Sequence, residues 1–91
     1  MSKSITYVDN AFVDKLIETA SEVGVDYDVY EGVLTDNVIF YGAEELKVPG
    51  VRRAKYIIIE AQYVNEWSSD LKLIATDSLK KAEIFQNKYE I

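Results

Sequence analysis

The spacing of apolar residues changes along this 91-residue chain, and this change constrains the fold more than any other feature. Between Phe12 and Ala20, apolar residues recur three and four positions apart, which is the period of an amphipathic helix. From Val25 to Tyr30 they alternate with other residues, which is the period of a half-buried strand. The spacing therefore predicts both helices and a sheet.

The predicted elements follow in the order helix, hairpin, hairpin, helix. Asp9 or Asn10 can cap a first helix over 10–23, and Gly24 can end it. The last helix is predicted over about 79–88, after a cap at Asp77 or Ser78. The predicted strands lie within 3–8 and over 25–30, 38–41, 54–64 and 71–76. This order predicts an α+β fold: an antiparallel sheet of about four strands with two helices packed on one face.

We expect residues 1–91 to form a single domain, because no linker or repeat interrupts the chain. The chain has no cysteine, so packing alone must stabilise it. Its longest strongly apolar run, 56–59, is far shorter than a membrane span, and no signal peptide is evident at its start. These features predict a cytoplasmic protein.

The residues needed for common kinds of catalysis are missing. Without histidine or cysteine, the usual nucleophile pairs and imidazole or thiolate metal sites are excluded. The four glycines stand alone, so no phosphate-binding loop is formed. Asp26 and Asp28 could begin a calcium loop, but Glu31 stands where glycine is needed and Asn37 where the closing glutamate is needed. We therefore expect no enzyme activity, no cofactor and no metal site.

Charge is distributed unevenly, although the net charge is −6. Residues 1–46 hold ten acids and two bases, a net of −8, whereas residues 47–91 hold eight bases and six acids, a net of +2. The segment 16–46 contains eight acids and no base. Ordinary surfaces mix both signs because opposite neighbours relieve repulsion, and this segment does not.

The acids also follow the helix and strand periods. Asp14, Glu18 and Glu22 are spaced four apart, which places neighbours about 6 Å apart along one helix face. Asp26 and Asp28 share one side of a strand at about 6.6 Å. Such rows repel internally, whereas an external cationic partner would gain from them. The predicted partner-binding residues are Asp14, Glu18, Glu22, Asp26, Asp28, Glu31, Asp36, Glu44 and Glu45.

Two interpretations of these acids stay open. In the first, they form a solvated face that serves solubility. In the second, they imitate nucleic-acid phosphates and occupy the binding site of a basic, nucleic-acid-binding host protein. The chain itself is not expected to bind nucleic acid, because its net charge repels phosphate, nor a membrane.

The second half offers a different kind of binding surface. Its basic cluster is interpreted first as a solvated loop and, alternatively, as a contact with the acidic half of a second copy in a homodimer. The cluster consists of Lys47, Arg52, Arg53 and Lys55. Trp67 lies in a polar hairpin and is expected to fold back over the sheet edge. If it were exposed, it would anchor a partner.

An alternative function follows from those aromatic residues. A small interaction module, such as an antitoxin, an immunity protein or an assembly subunit, would bind through aromatic and aliphatic side chains. Tyr30, Tyr41 and Trp67 are the candidates for that role. Raised ionic strength separates the two functions, since it weakens binding through carboxylates far more than binding through apolar contacts.

Two resemblances add to these expectations. Residues 56–82, through Tyr56-Ile57-Ile58-Ile59, Glu66-Trp67-Ser68-Ser69 and Ser78-Leu79-Lys80-Lys81-Ala82-Glu83, resemble a strand–hairpin–strand–helix module of small phage-encoded proteins. In size, acidity and lack of cysteine, the chain resembles the phage DNA-mimic inhibitors, in particular the Arn-like antirestriction proteins of T-even phages. That resemblance implies an acidic dimer that blocks a restriction enzyme or nucleoid protein in the host cytoplasm. The basic pair Arg52-Arg53 departs from a pure DNA mimic.

Overall fold

The computed structural model describes residues 6–90, except for the side chain of Thr6. Five strands, two α-helices and a short 3₁₀ helix form in this part of the chain. In chain order they are β1 (Thr6–Val8), α1 (Asn10–Val23), β2 (Asp26–Tyr30), β3 (Asn37–Tyr41), the 3₁₀ helix (Ala43–Leu46), β4 (Tyr56–Asn65), β5 (Ser68–Thr76) and α2 (Leu79–Tyr89). None of the helices described within 6–90 is long and apolar enough to cross a membrane.

The strands form one antiparallel sheet in the order β1-β5-β4-β3-β2. The predicted α+β class and antiparallel sheet are therefore confirmed. The sheet has five strands and not about four, because β1 joins it by pairing with β5, with Val8 opposite Leu71. The strand prediction within 3–8 falls partly outside the described residues. Strand β2 forms one edge of the sheet and the three-residue β1 forms the other.

The two helices pack on opposite faces of the sheet, so the prediction of two helices on one face is wrong in this respect. Along β3, Val38 and Phe40 pack with α1, whereas Ile39 between them packs with Ala82 and Phe85 of α2. We call the two sides the α1 face and the α2 face. The physical reason is visible in the continuous apolar runs at 38–40 and 57–59, since such runs suit strands that are covered on both sides.

Helix α1 has the predicted bounds because its ends are set by local chemistry. The backbone N–H of Phe12 donates to the Asp9 carboxylate at 2.8 Å, which caps the start. Gly24 ends the helix with a φ of 81°, a left-handed conformation that glycine adopts without strain. The face formed by Val13, Leu16 and Ala20 is buried against the sheet.

The β4–β5 hairpin is longer than predicted and extends beyond the rest of the sheet. β5 begins at Ser68, and the turn that was predicted to span 65–70 is reduced to two residues. Pairing with β3 stops at Ile59, and pairing with β1 stops at Leu71. Residues 62–70 therefore form a two-stranded ribbon that pairs with no other strand of the described part of the chain, and we call this ribbon the arm.

Candidate functional site

The first row of predicted binding residues lies on the outer side of α1. Asp14, Glu18 and Glu22 are all exposed, as their four-residue spacing requires when Leu16 and Ala20 face the core. Glu18 forms an ion pair with Lys15 of the same helix, at 3.5 Å and with both side chains largely exposed. Such an exposed pair contributes at most a few tenths of a kcal/mol to stability, and with Lys15 the row keeps a net charge of −2.

The second row lies on the other side of the sheet. Tyr27 packs against Phe40 on the α1 face, so its neighbours Asp26 and Asp28 point to the α2 face. Both carboxylates are exposed at the β2 edge. The sequence correctly placed these two acids on one side of β2, but the structure separates them from the α1 row by the thickness of the sheet.

A hydrogen-bonded chain fixes Asp28 in place. The Tyr41 hydroxyl donates to the Asp28 carboxylate at 2.7 Å and accepts from the Gln86 side-chain amide at 2.6 Å, so β2, β3 and α2 are joined. Burial and then the bond to Asp28 raise the pKa of Tyr41 far above its ordinary value of 10.0. Tyr41 therefore stays a neutral donor to the Asp28 carboxylate.

The remaining four acids flank these rows. Glu31 and Asp36 stand at the two ends of the connection between β2 and β3, and Glu44 and Glu45 lie on the 3₁₀ helix, which contacts α1. All four side chains are exposed. Together with the two rows they place exposed acids on both sides of the sheet, on α1, on β2 and in the segments on either side of β3. We call the nine predicted residues in this arrangement the acidic surface.

The bases of the second half do not neutralise the acidic surface. The salt bridges described within 6–90 are Lys15–Glu18, Arg52–Asp77 and Lys88–Glu60, and two of the three involve none of the nine acids. The acidic surface therefore keeps eight carboxylates without an ion pair in this part of the chain. Its side chains are exposed on opposite sides of the sheet and do not form one flat array.

The basic cluster is only partly a solvated loop. Arg52 pairs with Asp77 at 3.2 Å and also donates to the carbonyl of Ala75, while the backbone N–H of Lys55 donates to Asp77 at 2.9 Å. Two hydrogen bonds lower the pKa of the Asp77 carboxyl. The one from the Lys55 backbone N–H has the larger effect, and the one from the Arg52 side chain has the next largest. These contacts hold the segment before β4 against the end of β5, so Arg52 and Lys55 have a structural role.

The aromatic candidates separate into two groups. Tyr30 packs edge-on against Phe85 beneath α2, and Tyr41 packs against the same cluster, so both side chains are only partly exposed. Trp67, in contrast, is 84% exposed at the tip of the arm, so the expectation that it folds back over the sheet edge is wrong. Sequence reasoning missed Tyr63, which is 75% exposed near Trp67 in the arm.

Local hydrogen bonds explain the exposure of Trp67. The Asn65 side-chain oxygen accepts from the backbone N–H of Trp67 at 2.8 Å and from the Ser68 hydroxyl at 3.4 Å. These bonds close a tight turn whose two central residues are Glu66 and Trp67. A side chain that starts from the end of a ribbon has no sheet surface beneath it, and Asn65 was the signal in the sequence for this turn.

The arrangement defines an acidic α+β domain with an exposed aromatic arm. Within residues 6–90, no group of three or more acidic side chains lies close enough together to hold a metal ion. Comparison with known proteins found no matching family model, no similar curated protein and no similar solved structure. Function must therefore be argued from the two surfaces themselves.

Proposed function

We propose that this protein is a non-enzymatic inhibitor that binds a basic, nucleic-acid-binding host protein through its acidic surface. The observation that supports this proposal is the exposure of nine carboxylates on α1, on β2 and in the segments on either side of β3, of which only Glu18 is ion-paired within residues 6–90. Rows of unpaired carboxylates repel each other and destabilise the fold. They become favourable only when a positively charged partner binds them.

The placement of the acids favours a cleft as the partner surface. Asp14 and Glu22 lie over the α1 face, whereas Asp26 lies on the α2 face. A flat basic surface could contact one of these rows, but a positively charged cleft of the kind that surrounds a nucleic acid could contact both. In this proposal the β2 edge enters such a cleft in place of DNA. The resemblance to phage antirestriction proteins is consistent with a restriction or nucleoid protein in the host cytoplasm as the target.

The experiment combines capture with competition. The chain is immobilised and exposed to a nuclease-treated bacterial lysate, and the bound proteins are eluted with duplex DNA or with a salt gradient and identified by mass spectrometry. We expect DNA-binding proteins that are released by the added duplex and by moderate salt. Captured proteins that stay bound when duplex DNA is added would contradict mimicry.

A matched pair of variants tests the surface. Glu22→Lys with Asp26→Lys reverses two carboxylates of the acidic surface, one on each side of the sheet. Glu83→Lys with Glu90→Lys makes the same change in net charge on and beside α2, where both side chains are also exposed. We expect the first variant to lose most of the captured protein and the second to retain it. Equal losses would show that only net charge matters.

The exposed arm favours a second candidate function, a binding module that uses apolar contacts. The observation behind it is the exposure of Trp67 and Tyr63 at one end of the molecule. A partner held in this way should resist high salt and should be lost in a Trp67→Ala variant. The same salt gradient therefore separates the two candidates.

A further inference from the structure

The α2 face is only partly covered by its helix. Helix α2 packs over β2, β3 and β4, where Phe85 contacts Tyr30 and Gln86 bonds to Tyr41. On the side toward β5 and β1 it leaves an open groove with a volume of about 210 Å³. Apolar side chains of the sheet and of α2 line this groove, namely Ile58, Ile74, Ile84 and Phe85.

The groove is rimmed by positive charge. Lys81 and Lys88 line it from α2, and Lys72 faces the same side of the sheet opposite Glu60. Glu60 is the one acid in the lining, and it already accepts hydrogen bonds from Lys88 at 2.8 Å and from Tyr89 at 2.7 Å. Lys81 has no ion pair within residues 6–90, so its charge can interact with an acidic group that enters the groove.

The arm has the complementary chemistry. Its exposed apolar side chains are Tyr63, Val64 and Trp67, and its charged residues are the acids Glu66 and Asp70. The arm itself contains no base. An apolar tip flanked by carboxylates thus matches an apolar groove rimmed by lysines.

The arm cannot reach the groove of its own chain. Asn65 lies seven residues beyond Ile58 along β4, a distance of about 23 Å at the rise of a strand. If a second copy is turned by a two-fold axis halfway between the tip and the groove, near the base of the arms, the two arms run antiparallel. Each tip then lies over the groove of the other copy, which gives a closed, isologous contact.

We propose that two copies of this chain associate through their α2 faces, with Trp67 and Glu66 of each arm docked against the groove and Lys81 of the other copy. This contact uses none of the nine residues of the acidic surface, so it leaves that surface free. It is also independent of the proposed inhibition through the acidic surface, because neither the arm nor the groove takes part in that binding, whereas the second candidate function uses the same arm.

The first measurement is sedimentation equilibrium of the full chain from about 1 to about 200 μM, a range in which mass action reveals weak dimers. We expect a monomer–dimer equilibrium that Trp67→Ser weakens by about tenfold or more, since buried tryptophans dominate interfaces. Circular dichroism checks that this variant stays folded, as the high exposure of Trp67 predicts. A monomer at every concentration, or a dimer unaffected by Trp67→Ser, would overturn the proposal.

Charge reversal then tests the pairing of arm and groove. Glu66→Lys and Lys81→Glu should each weaken self-association, because each places like charges at both contacts of the two-fold dimer. In an equal mixture of the two variants, one contact pairs reversed charges and the other pairs native charges. The mixture should therefore associate more strongly than either variant alone.

Controls separate this effect from net charge. Glu18→Lys and Arg53→Glu make the same two charge changes at exposed positions outside the arm and the groove. Their mixture should behave as the two single variants do. If the mixture of Glu66→Lys and Lys81→Glu gains no more than this control mixture, the arm does not dock in the groove. Loss of the dimer in these tests leaves the DNA-competition experiment unaffected, so the two proposals fail separately.

Discussion

At the scale of single residues, the side-chain amide of Asn37 forms the last hydrogen bond between β3 and β4. Asn37 is 5% exposed, and its side-chain oxygen accepts from the backbone N–H of Ala61 at 2.7 Å, just past the last β3–β4 pair at Ile59. The side chain thus accepts a hydrogen bond from a backbone N–H that lies beyond the last backbone pair between β3 and β4.

We expect Asn37→Ala to lower the free energy of unfolding by about 2 kcal/mol, because it leaves the Ala61 N–H unpaired next to the core. Urea unfolding followed by circular dichroism measures the change. Asn87→Ala is the control, since Asn87 is exposed on α2 and should cost far less. Similar losses for the two variants would mean that the bond to Ala61 contributes little.

The Glu60 carboxylate predicts a pH dependence of stability. Burial acts to raise its pKa, but the hydrogen bonds from Lys88 and Tyr89 outweigh burial and lower the pKa below the ordinary 4.5. Because the folded pKa is the lower one, the stabilising contribution is complete above the unfolded pKa. It is lost as the pH falls through the folded pKa.

Wild type should therefore exceed Glu60→Gln in stability by about 1 kcal/mol near neutral pH, and the difference should shrink as the pH falls below about 4.5. Urea unfolding of both proteins from pH 7 to pH 3 tests this expectation. A constant difference over that range would exclude ionisation of Glu60 as its source. Glu83→Gln, which removes an exposed carboxylate, should show a much smaller dependence.

At the scale of elements, two glycines have different reasons to be glycine. Gly24 ends α1 with a φ of 81°, and a Cβ added there would meet nothing within 4 Å. At Gly32, in the connection between β2 and β3, a Cβ would lie 2.3 Å from the carbonyl oxygen of Thr35. At Gly24 the left-handed backbone favours glycine, whereas at Gly32 there is no space for a side chain.

We expect Gly24→Ala to cost about 1 kcal/mol, the usual penalty of a left-handed alanine. Gly32→Ala should cost more, about 2 kcal/mol or above, because backbone of the connection must move to relieve the clash. Thermal unfolding ranks the two variants, with a shift of about 4–8 °C for each kcal/mol in a domain of this size. An equal or reversed ranking would show that the connection adapts freely.

The same elements show what the sequence could predict. The bounds of α1 were predictable because Asp9 and Gly24 act within a few residues of the helix they limit. The side of the sheet taken by α2 was not, since alternation along β2 tells which residues share a side but not which helix covers it. The exposure of the acids was likewise predictable from spacing, and their separation by the sheet was not.

The arm escaped prediction for a related reason. The segment 65–70 is polar, which is typical of a loop, and its strand character comes from pairing with β4, as between Tyr63 and Ser69. Composition alone does not reveal such pairing. The side chain of Asn65 closes the turn through a local hydrogen bond and so leaves Trp67 exposed, but polar composition alone does not show that this bond forms.

At the scale of the whole molecule, residues of the acidic surface lower the stability of the fold, which is expected if they are needed for binding. Glu22 lies in the last turn of α1, where no base is present and where a negative charge opposes the helix dipole. It also follows Glu18 by one turn, so the two carboxylates repel each other. Folding alone would favour a base at this position.

Glu22→Lys should therefore raise the free energy of unfolding by about 0.5–1 kcal/mol at low ionic strength, and the gain should shrink in about 0.5 M salt. Glu83→Lys should have the opposite sign, because Glu83 follows Lys80 by three positions on α2 and the change replaces attraction with repulsion. Urea unfolding at both ionic strengths measures these effects. If Glu22→Lys is more stable and yet captures less of a DNA-competed partner, the carboxylate serves binding. A more stable variant that binds equally well would reduce the acidic surface to a solubility feature.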